Sequence, residues 1–249
     1  MDKGSTSGVV FLRSILHWAN ESAKYHGASR HLRSSPDVQE VRLSISQMPE
    51  PPISHQLVSQ LVDAYFTYYH TSYPFIHEAT FRAQYSELVP KSNETAWNML
   101  FYTILALGAW SLGQGHADLE EYFYRKASSF WHDQSIFETA CLPLVQALVL
   151  ISNLVQKRNK PNTGWNYLGV AVRMALSLGL HRELPEWNIS LLQREMRRRI
   201  WWGLFIFDSG ASVTFGRAVL LPEKAAIDVK HVLNIHDAVM DSNPKDGFG

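Results

Sequence analysis

The sequence predicts an all-α domain built from packed antiparallel helices, and three observations support this class. Apolar residues recur at spacings of three and four along most of the chain, which is the period of an amphipathic helix. No segment shows the alternating pattern of a half-buried strand. Apolar residues also make up 46% of the 249 positions, which is enough to build a substantial core.

The chain divides into two parts of different composition. Residues 1–53 are expected to form an N-terminal helix, between Val9 and Tyr25, followed by a polar linker rich in Ser, Pro and charged residues. The compact domain is predicted over residues 54–249. Because the chain ends on a turn-like, glycine-containing stretch, we expect this domain to be incomplete at its C-terminus.

Cap and break residues mark the helices of the compact domain. Ser54 is a suitable N-cap for the first helix, which Pro74 is expected to end. A short helix should begin near His77-Glu78. The next helices are predicted at Trp97–Leu112, Leu119–Trp131 and Glu138–Lys157.

The last two helices carry the clearest signals. Asn162 or Thr163 is expected to cap the first of them. Ser190 and Gln193 have the spacing of a capping box at the start of the second, and Gly216 should end it. An apolar stripe runs along this second helix through Leu192, Met196, Ile200, Leu204, Phe207, Ala211 and Phe215.

Charge and cysteine content restrict the function. Lys plus Arg and Asp plus Glu each number 23, so the formal net charge is zero. A domain that binds the phosphate backbone of a nucleic acid without help from another domain usually has more basic than acidic residues. The single cysteine, Cys141, excludes an internal disulfide and a cysteine-clustered metal site. The uncharged runs Met99–Leu112 and Thr139–Gln156 are interpreted as core helices, so no membrane contact is predicted.

No catalytic or metal-binding pattern is predicted in this chain. Asp208 and Ser212 stand one helical turn apart, but without a base or an oxyanion site they are better interpreted as hydrogen-bonding groups that orient a helix. His77-Glu78 lacks the second histidine of a zincin motif. The adjacent pair Glu120-Glu121 is interpreted as a solvated helix face. We therefore predict neither an enzyme nor a cofactor.

The basic run Arg197–Arg199 has two interpretations, a nucleic-acid contact or a packing element. Three consecutive arginines on a helix point over a wide arc rather than towards one groove. Glu195 and Arg199 have the spacing of a favourable ion pair. The following Trp201-Trp202 suggests packing of guanidinium groups on indole rings. Together with the neutral net charge, these features favour packing.

The segment from Arg197 to Arg217 resembles the signature of the middle homology region of fungal zinc-binuclear-cluster transcription factors. That signature has a basic run, paired aromatic residues, an Asp, a Ser and Gly-Arg-Pro. The upstream Leu-Gly-Leu-His-Arg and the segment Tyr65–Phe81 match earlier family elements in the same order, and KRNKPNTGWNY is similar to the yeast galactose/lactose-activator type. The matching signature residues are Arg182, Arg197, Arg198, Arg199, Trp201, Trp202, Asp208, Ser212, Gly216 and Arg217.

The resemblance implies a non-enzymatic regulatory domain that acts in the nucleus on RNA polymerase II transcription, with carbohydrate metabolism among its targets. In the family, DNA is bound by a separate cluster in which six cysteines hold two zinc ions, and that cluster is not in this chain. Transcriptional co-regulators are implied as partners, and a homodimer or a small-molecule effector remains open. Ala218 departs from the family proline, and Ser209 replaces a common basic residue.

Two other functions are compatible with the sequence. One is a helical scaffold or adaptor without a role in transcription. The other is a metabolite sensor, in which the aromatic residues around Trp97, Trp110 and Trp165 would enclose a pocket. Packing of these rings in the core is the favoured alternative.

Overall fold

The computed structural model describes residues 51–132, 138, 140–183, 188–223, 226–235 and 237. Over these residues the chain forms seven α-helices and no strand, which confirms the all-α prediction. The predicted helix at Val9–Tyr25 lies outside the described residues, and the domain boundary at residue 54 stays a prediction. The helices are α1 (His55–Ala64), α2 (Glu78–Tyr85), α3 (Glu94–Leu112), α4 (Ala117–Ser129), α5 (Leu142–Lys157), α6 (Pro161–Ser177) and α7 (Leu191–Phe215).

Side-chain caps set the start of several helices. Ser54 Oγ accepts from the Leu57 N–H at 3.1 Å, as the sequence predicts for α1. His77 caps α2 through its Nδ1 atom, which accepts from the Thr80 N–H at 3.3 Å. The predicted side-chain cap of α6 is wrong. This helix begins with Pro161, whose fixed φ and missing N–H suit the first helical position without such a cap.

The first predicted helix changes character before it reaches Pro74. After α1 the chain forms a π-helical segment, Tyr65–Tyr69, closed by a bond from the His70 N–H to the Tyr65 carbonyl at 2.9 Å. The Tyr69 hydroxyl donates to Asn153 on α5 at 2.8 Å. The segment packs against α1 and α3, and this hydroxyl links it to α5 as well.

Helices α3 and α5 form the centre of the domain. α3 packs against α1, α4 and α5, whereas α5 also packs against α6 and α7. Only residues 158–160 separate α5 from α6, so these contacting helices run antiparallel. Side chains such as Met99, Ile104 and Leu148 are completely buried between the helices. One apolar core therefore holds all seven helices.

The acidic pair Glu120-Glu121 is not the solvated face that the sequence suggests. Glu120 pairs with Arg158 Nη1 at 3.4 Å, and Glu121 also binds Arg158. The Arg158 guanidinium lies 4.2 Å from the centre of the Tyr124 ring. Burial raises the pKa of Glu120. This half-buried group joins α4 to the end of α5, a partnership over more than thirty residues that local spacing does not reveal.

The three tryptophans considered for a pocket lie in separate sets of contacts. Trp97 stacks with Phe101 at 5.0 Å between ring centres. Lys157 lies over Trp110 at 4.4 Å, and Trp165 carries a different cation on its ring. Trp97 is buried in the core, as the packing interpretation expects, whereas Trp165 is half-buried and Trp110 is exposed. In the part of the chain that the structure describes, no helix has the length and apolar character required to cross a membrane.

Candidate functional site

The predicted capping box fixes the start of α7. The Gln193 N–H donates to Ser190 Oγ at 3.1 Å, and the Ser190 N–H donates to Gln193 Oε1 at 3.2 Å. The arginines from Arg194 to Arg199 therefore lie in the first turns of the helix. Positive charges there face the positive end of the helix dipole. They need carboxylate or carbonyl partners, and the structure supplies both.

Glu183 binds the arginines from the loop that follows α6. Its two carboxylate oxygens accept from Arg198 Nε and Nη2 at 3.0 and 2.6 Å, which is the bidentate geometry of a strong arginine–carboxylate pair. Arg194 contacts the same carboxylate at 3.4 Å. The Lys230 N–H donates to it at 3.0 Å. Glu183 thus joins three separate segments of the chain.

Glu195 performs a similar role from within α7 and is completely buried. Its Oε1 atom accepts from Arg199 Nε at 3.2 Å and from the Leu233 N–H at 3.0 Å. Arg199 also donates to Asp237 at 2.7 Å. The predicted Glu195–Arg199 pair forms, but in the interior rather than on an exposed face. We use the name arginine clasp for Glu183, Glu195, Arg198 and Arg199.

Residues 226–235, here called the strap, lie against the first half of α7. Besides the two N–H groups that bind the clasp carboxylates, the strap accepts a bond at the Lys230 carbonyl from Trp202 Nε1 at 2.9 Å. The Asp228 N–H donates to the His181 carbonyl at 3.2 Å. The strap is therefore attached mainly through its backbone.

The remaining basic residues of the signature also bind protein groups. Arg197 Nη2 donates to the carbonyls of Leu178 and Gly179 at 2.8 and 3.2 Å, which satisfies the C-terminal end of α6. Arg182 forms a surface ion pair with Asp228 at 2.9 Å. This arrangement supports the packing and ion-pair interpretation of the basic run over a DNA contact.

The paired tryptophans have different environments. Trp201 is completely buried, with its ring centre 5.8 Å from that of His181. Trp202 is half-buried and stacks with His231 of the strap at 5.0 Å. The clasp arginines take carboxylate partners, whereas the sequence suggested indole rings. Trp201 therefore anchors α7 in the core, while Trp202 faces the strap.

Asp208 holds the chain that follows α7. This buried carboxylate accepts from the N–H groups of Leu220 and Leu221 at 2.7 and 3.0 Å. Ser212 Oγ donates to the Asp208 carbonyl at 2.9 Å, so both side chains act as structural hydrogen-bonding groups. Among the described residues, no three His, Cys, Asp or Glu side chains gather as a metal site would require.

Replacing Asp208 with alanine is expected to lower the free energy of unfolding by about 2–4 kcal/mol, because two N–H groups near the core lose a charged acceptor. Ser212→Ala serves as the matched control, since it removes only a bond within one helical turn and should cost less than about 1 kcal/mol. Urea unfolding followed by circular dichroism measures both changes. Equal losses in the two variants would contradict this role of Asp208.

Arg217 connects the end of α7 to the start of α6. Gly216 has a φ of 63°, a left-handed conformation that glycine adopts readily and that ends the helix. Arg217 then donates to the Pro161 carbonyl at 3.0 Å and to Asn162 at 2.5 Å, and it covers the Trp165 ring at 5.1 Å. The second half of the signature thus links the C-terminal end of α7 to the N-terminal end of α6.

The helices and the site described above lie in a segment whose sequence matches a known protein family. The sequence pattern described as Fungal specific transcription factor domain matches residues 62–237. The chain belongs to this family. The matched range begins in the last turn of α1 and ends at Asp237, just after the strap, so it includes the arginine clasp, Asp208 and Arg217.

Named relatives of the fungal transcription factor domain regulate metabolism. The chain is 37% identical over 176 residues to the lactose regulatory protein LAC9 of Kluyveromyces lactis, covering 70% of this chain and 20% of that protein. It is 31% identical over 193 residues to the acetamidase regulatory protein of Emericella nidulans, covering 76% and 23%. For the nitrogen assimilation transcription factor nirA of the same fungus the identity is 30% over 171 residues, covering 65% and 19%. The chain thus spans about a fifth of the length of these relatives, and no solved structure matches it.

The structure adds three residues of this family domain that sequence reasoning did not select. Glu183, Asp228 and Asp237 complete the ion pairs of Arg198, Arg182 and Arg199. A signal was present, because a dense basic run at a helix N-terminus requires acidic partners. Their positions, however, depend on the path of the loop and the strap.

The Glu183 carboxylate should make the stability of the fungal transcription factor domain sensitive to acid. Its hydrogen bonds to Arg198 lower its pKa from an ordinary 4.5 to about 2. A lowered folded-state pKa contributes stability that is complete above the unfolded value and is lost as the pH falls through the folded value. The contribution of Glu183 should therefore decrease from about pH 4.5 towards pH 2.

Urea unfolding of the wild type and Glu183→Gln across this range tests the expectation. The difference in unfolding free energy should be constant near neutral pH and shrink as the pH falls below about 4.5. Glu87→Gln is the control, since Glu87 lies outside the clasp. A difference for Glu183→Gln that is independent of pH would show that its pKa is not lowered.

Proposed function

We propose that this chain is the regulatory domain of a fungal zinc-cluster transcription factor, which controls RNA polymerase II transcription of metabolic genes in the nucleus, carbohydrate genes among them. The single observation that carries the proposal is the family match over residues 62–237. The identity to a lactose regulatory protein supports a role in sugar metabolism.

The proposal assigns DNA contact to another part of the protein. Zinc would be held there by six cysteines, whereas this chain contains only Cys141. The arginines of α7 support this division because their guanidinium groups bind Glu183, Glu195 and backbone carbonyls. The domain itself would act through contacts with co-regulators, with no chemical reaction of its own.

A reporter fusion tests the regulatory role. The whole 249-residue chain is placed between a heterologous DNA-binding domain and an activation domain, because the strap as well as the helices completes the clasp. We expect reporter output that differs from that of a flexible spacer of equal length. Glu195→Leu, which disrupts the clasp, should shift the output towards the spacer value.

Protein amounts are compared by immunoblot so that degradation does not imitate regulation. Output identical to the spacer at equal protein amount, under growth on several carbon and nitrogen sources, would contradict the proposal.

A further inference from the structure

A cleft of about 750 Å³ lies beside the arginine clasp. One wall is α7, the second is the turn after the π-helical segment, and the third is the strap. Residues that line it include His70, Tyr73, Trp202, Ile206 and Leu233. Its volume falls within the range of about 300–1,000 Å³ that accommodates small molecules in proteins.

The floor of the cleft is firmly packed. The rings of Tyr73 and Phe75 contact Phe207 of α7 with centres 5.1 and 5.7 Å apart. Gly203 permits this approach, because a Cβ atom at this position would lie 2.3 Å from the Phe75 ring. The Phe75 carbonyl also accepts from Gln146 at 2.6 Å. The concave shape is therefore built into the fold.

The charged groups of the described lining are already paired. Glu78 binds Arg82 at 2.7 Å, and Arg199 binds Asp237 at 2.7 Å while also reaching Glu195. Burial lowers the pKa of His70, which disfavours a positive charge on its ring. A charged occupant would have to break one of these pairs or remain uncompensated.

Apolar side chains nevertheless line the opening. Ile206 on α7 is 60% exposed, and Val232 and Leu233 on the strap are also exposed. Together with Trp202 they surround the cleft from two sides. Burying apolar surface of this kind away from water lowers the free energy.

We infer that this cleft is a binding site for a neutral, largely apolar small molecule with at least one ring, which packs against Trp202, Ile206 and the floor aromatics. The inference goes beyond the proposed function, because it concerns a ligand and not transcription. A bound molecule would contact α7 and the strap at once. Occupancy would therefore tighten the strap on the clasp.

The first test uses two fluorescent probes that share one aromatic scaffold. N-phenyl-1-naphthylamine is neutral, whereas 1-anilinonaphthalene-8-sulfonate carries a sulfonate. With the purified 249-residue chain, the neutral probe should bind saturably and at least about tenfold more tightly than the anionic one. Absence of saturable binding by the neutral probe, or equal affinity for both, would overturn the inference.

Two tryptophan substitutions locate the binding. Ile206→Trp fills the cleft from an exposed position and should weaken the neutral probe by about tenfold or more. Val213→Trp lies two turns further along the same helix, is 88% exposed in the wild type and does not line the cleft. It should leave affinity within about twofold of the wild type. Equal affinity in all three proteins would place the probe elsewhere and overturn the inference.

Hydrogen exchange supplies a second readout. The Leu233 N–H, which donates to the buried Glu195, should exchange more slowly when the neutral probe is bound. Unchanged exchange at saturation would overturn the link between the cleft and the strap. Because these measurements are made without DNA or a reporter, their failure is distinguishable from failure of the proposed regulatory function.

Discussion

Replacement of Gly108 by alanine is expected to destabilise the domain by about 3 kcal/mol or more. Overpacking a tight helix contact usually costs about 1–3 kcal/mol. The cost should be at the upper end or above it here, because the added methyl group would meet backbone atoms, which cannot move aside as a side chain can. A Cβ atom on Gly108 would lie 2.1 Å from the carbonyl oxygen of Leu61 and 2.8 Å from its carbonyl carbon. α1 cannot relieve this overlap by changing a rotamer. It has to move away from α3, which opens the contact around the fully buried Leu61.

Gly210→Ala is the matched control for this prediction. Gly210 also lies inside a helix, but a Cβ atom there meets no atom within 4 Å. Alanine should stabilise α7 by about 0.5–1 kcal/mol, because glycine loses more backbone entropy on folding. Urea unfolding measures both variants. If Gly108→Ala stays within about 0.5 kcal/mol of the wild type, α1 and α3 are not in such close contact.

The second large effect is expected for Glu195→Leu. Removing one partner of a buried ion pair leaves the other charge uncompensated and typically costs about 3–5 kcal/mol. Here Arg199 keeps only Asp237, and the Leu233 N–H loses its acceptor. We therefore expect a clear loss of unfolding free energy together with faster amide exchange in the strap.

A double-mutant cycle separates the ion pair from general damage to the core. Glu195→Leu with Arg199→Leu replaces the pair by apolar groups, and such replacements are often close to neutral. The double variant should be more stable than Glu195→Leu alone, with a coupling energy of at least about 1.5 kcal/mol. Additive losses would show that Glu195 and Arg199 do not depend on each other.

The sequence predicted those features of the fold that depend on neighbouring residues. The capping box of Ser190 and Gln193 and the left-handed end of α7 at Gly216 formed as expected. Most of the predicted apolar stripe is buried, from Met196 to Ala211. Phe215, the last residue of α7, is exposed. Helix periodicity and caps are local properties, which explains this success.

The partners of the signature residues could not be obtained in the same way. Asp208 binds the N–H groups of residues 12 and 13 positions later, and Arg199 reaches Asp237 across 38 positions. These contacts depend on the path of irregular segments. The sequence pattern singled out Asp208 and the arginines. Their partners within the domain are determined by the three-dimensional path of the loop and the strap.

In the strap, attachment and cleft shape depend on different groups. Backbone groups attach the strap, whereas its exposed side chains form part of the cleft wall. Its links to Glu183 and Glu195 use the N–H groups of Lys230 and Leu233, and every residue except proline offers such a group. The side chains at positions 230–234 are exposed and can change without loss of these bonds. Relatives that keep the two carboxylates could therefore carry cleft walls of different shape on the same framework, so that ligand preference diverges while the fold is maintained.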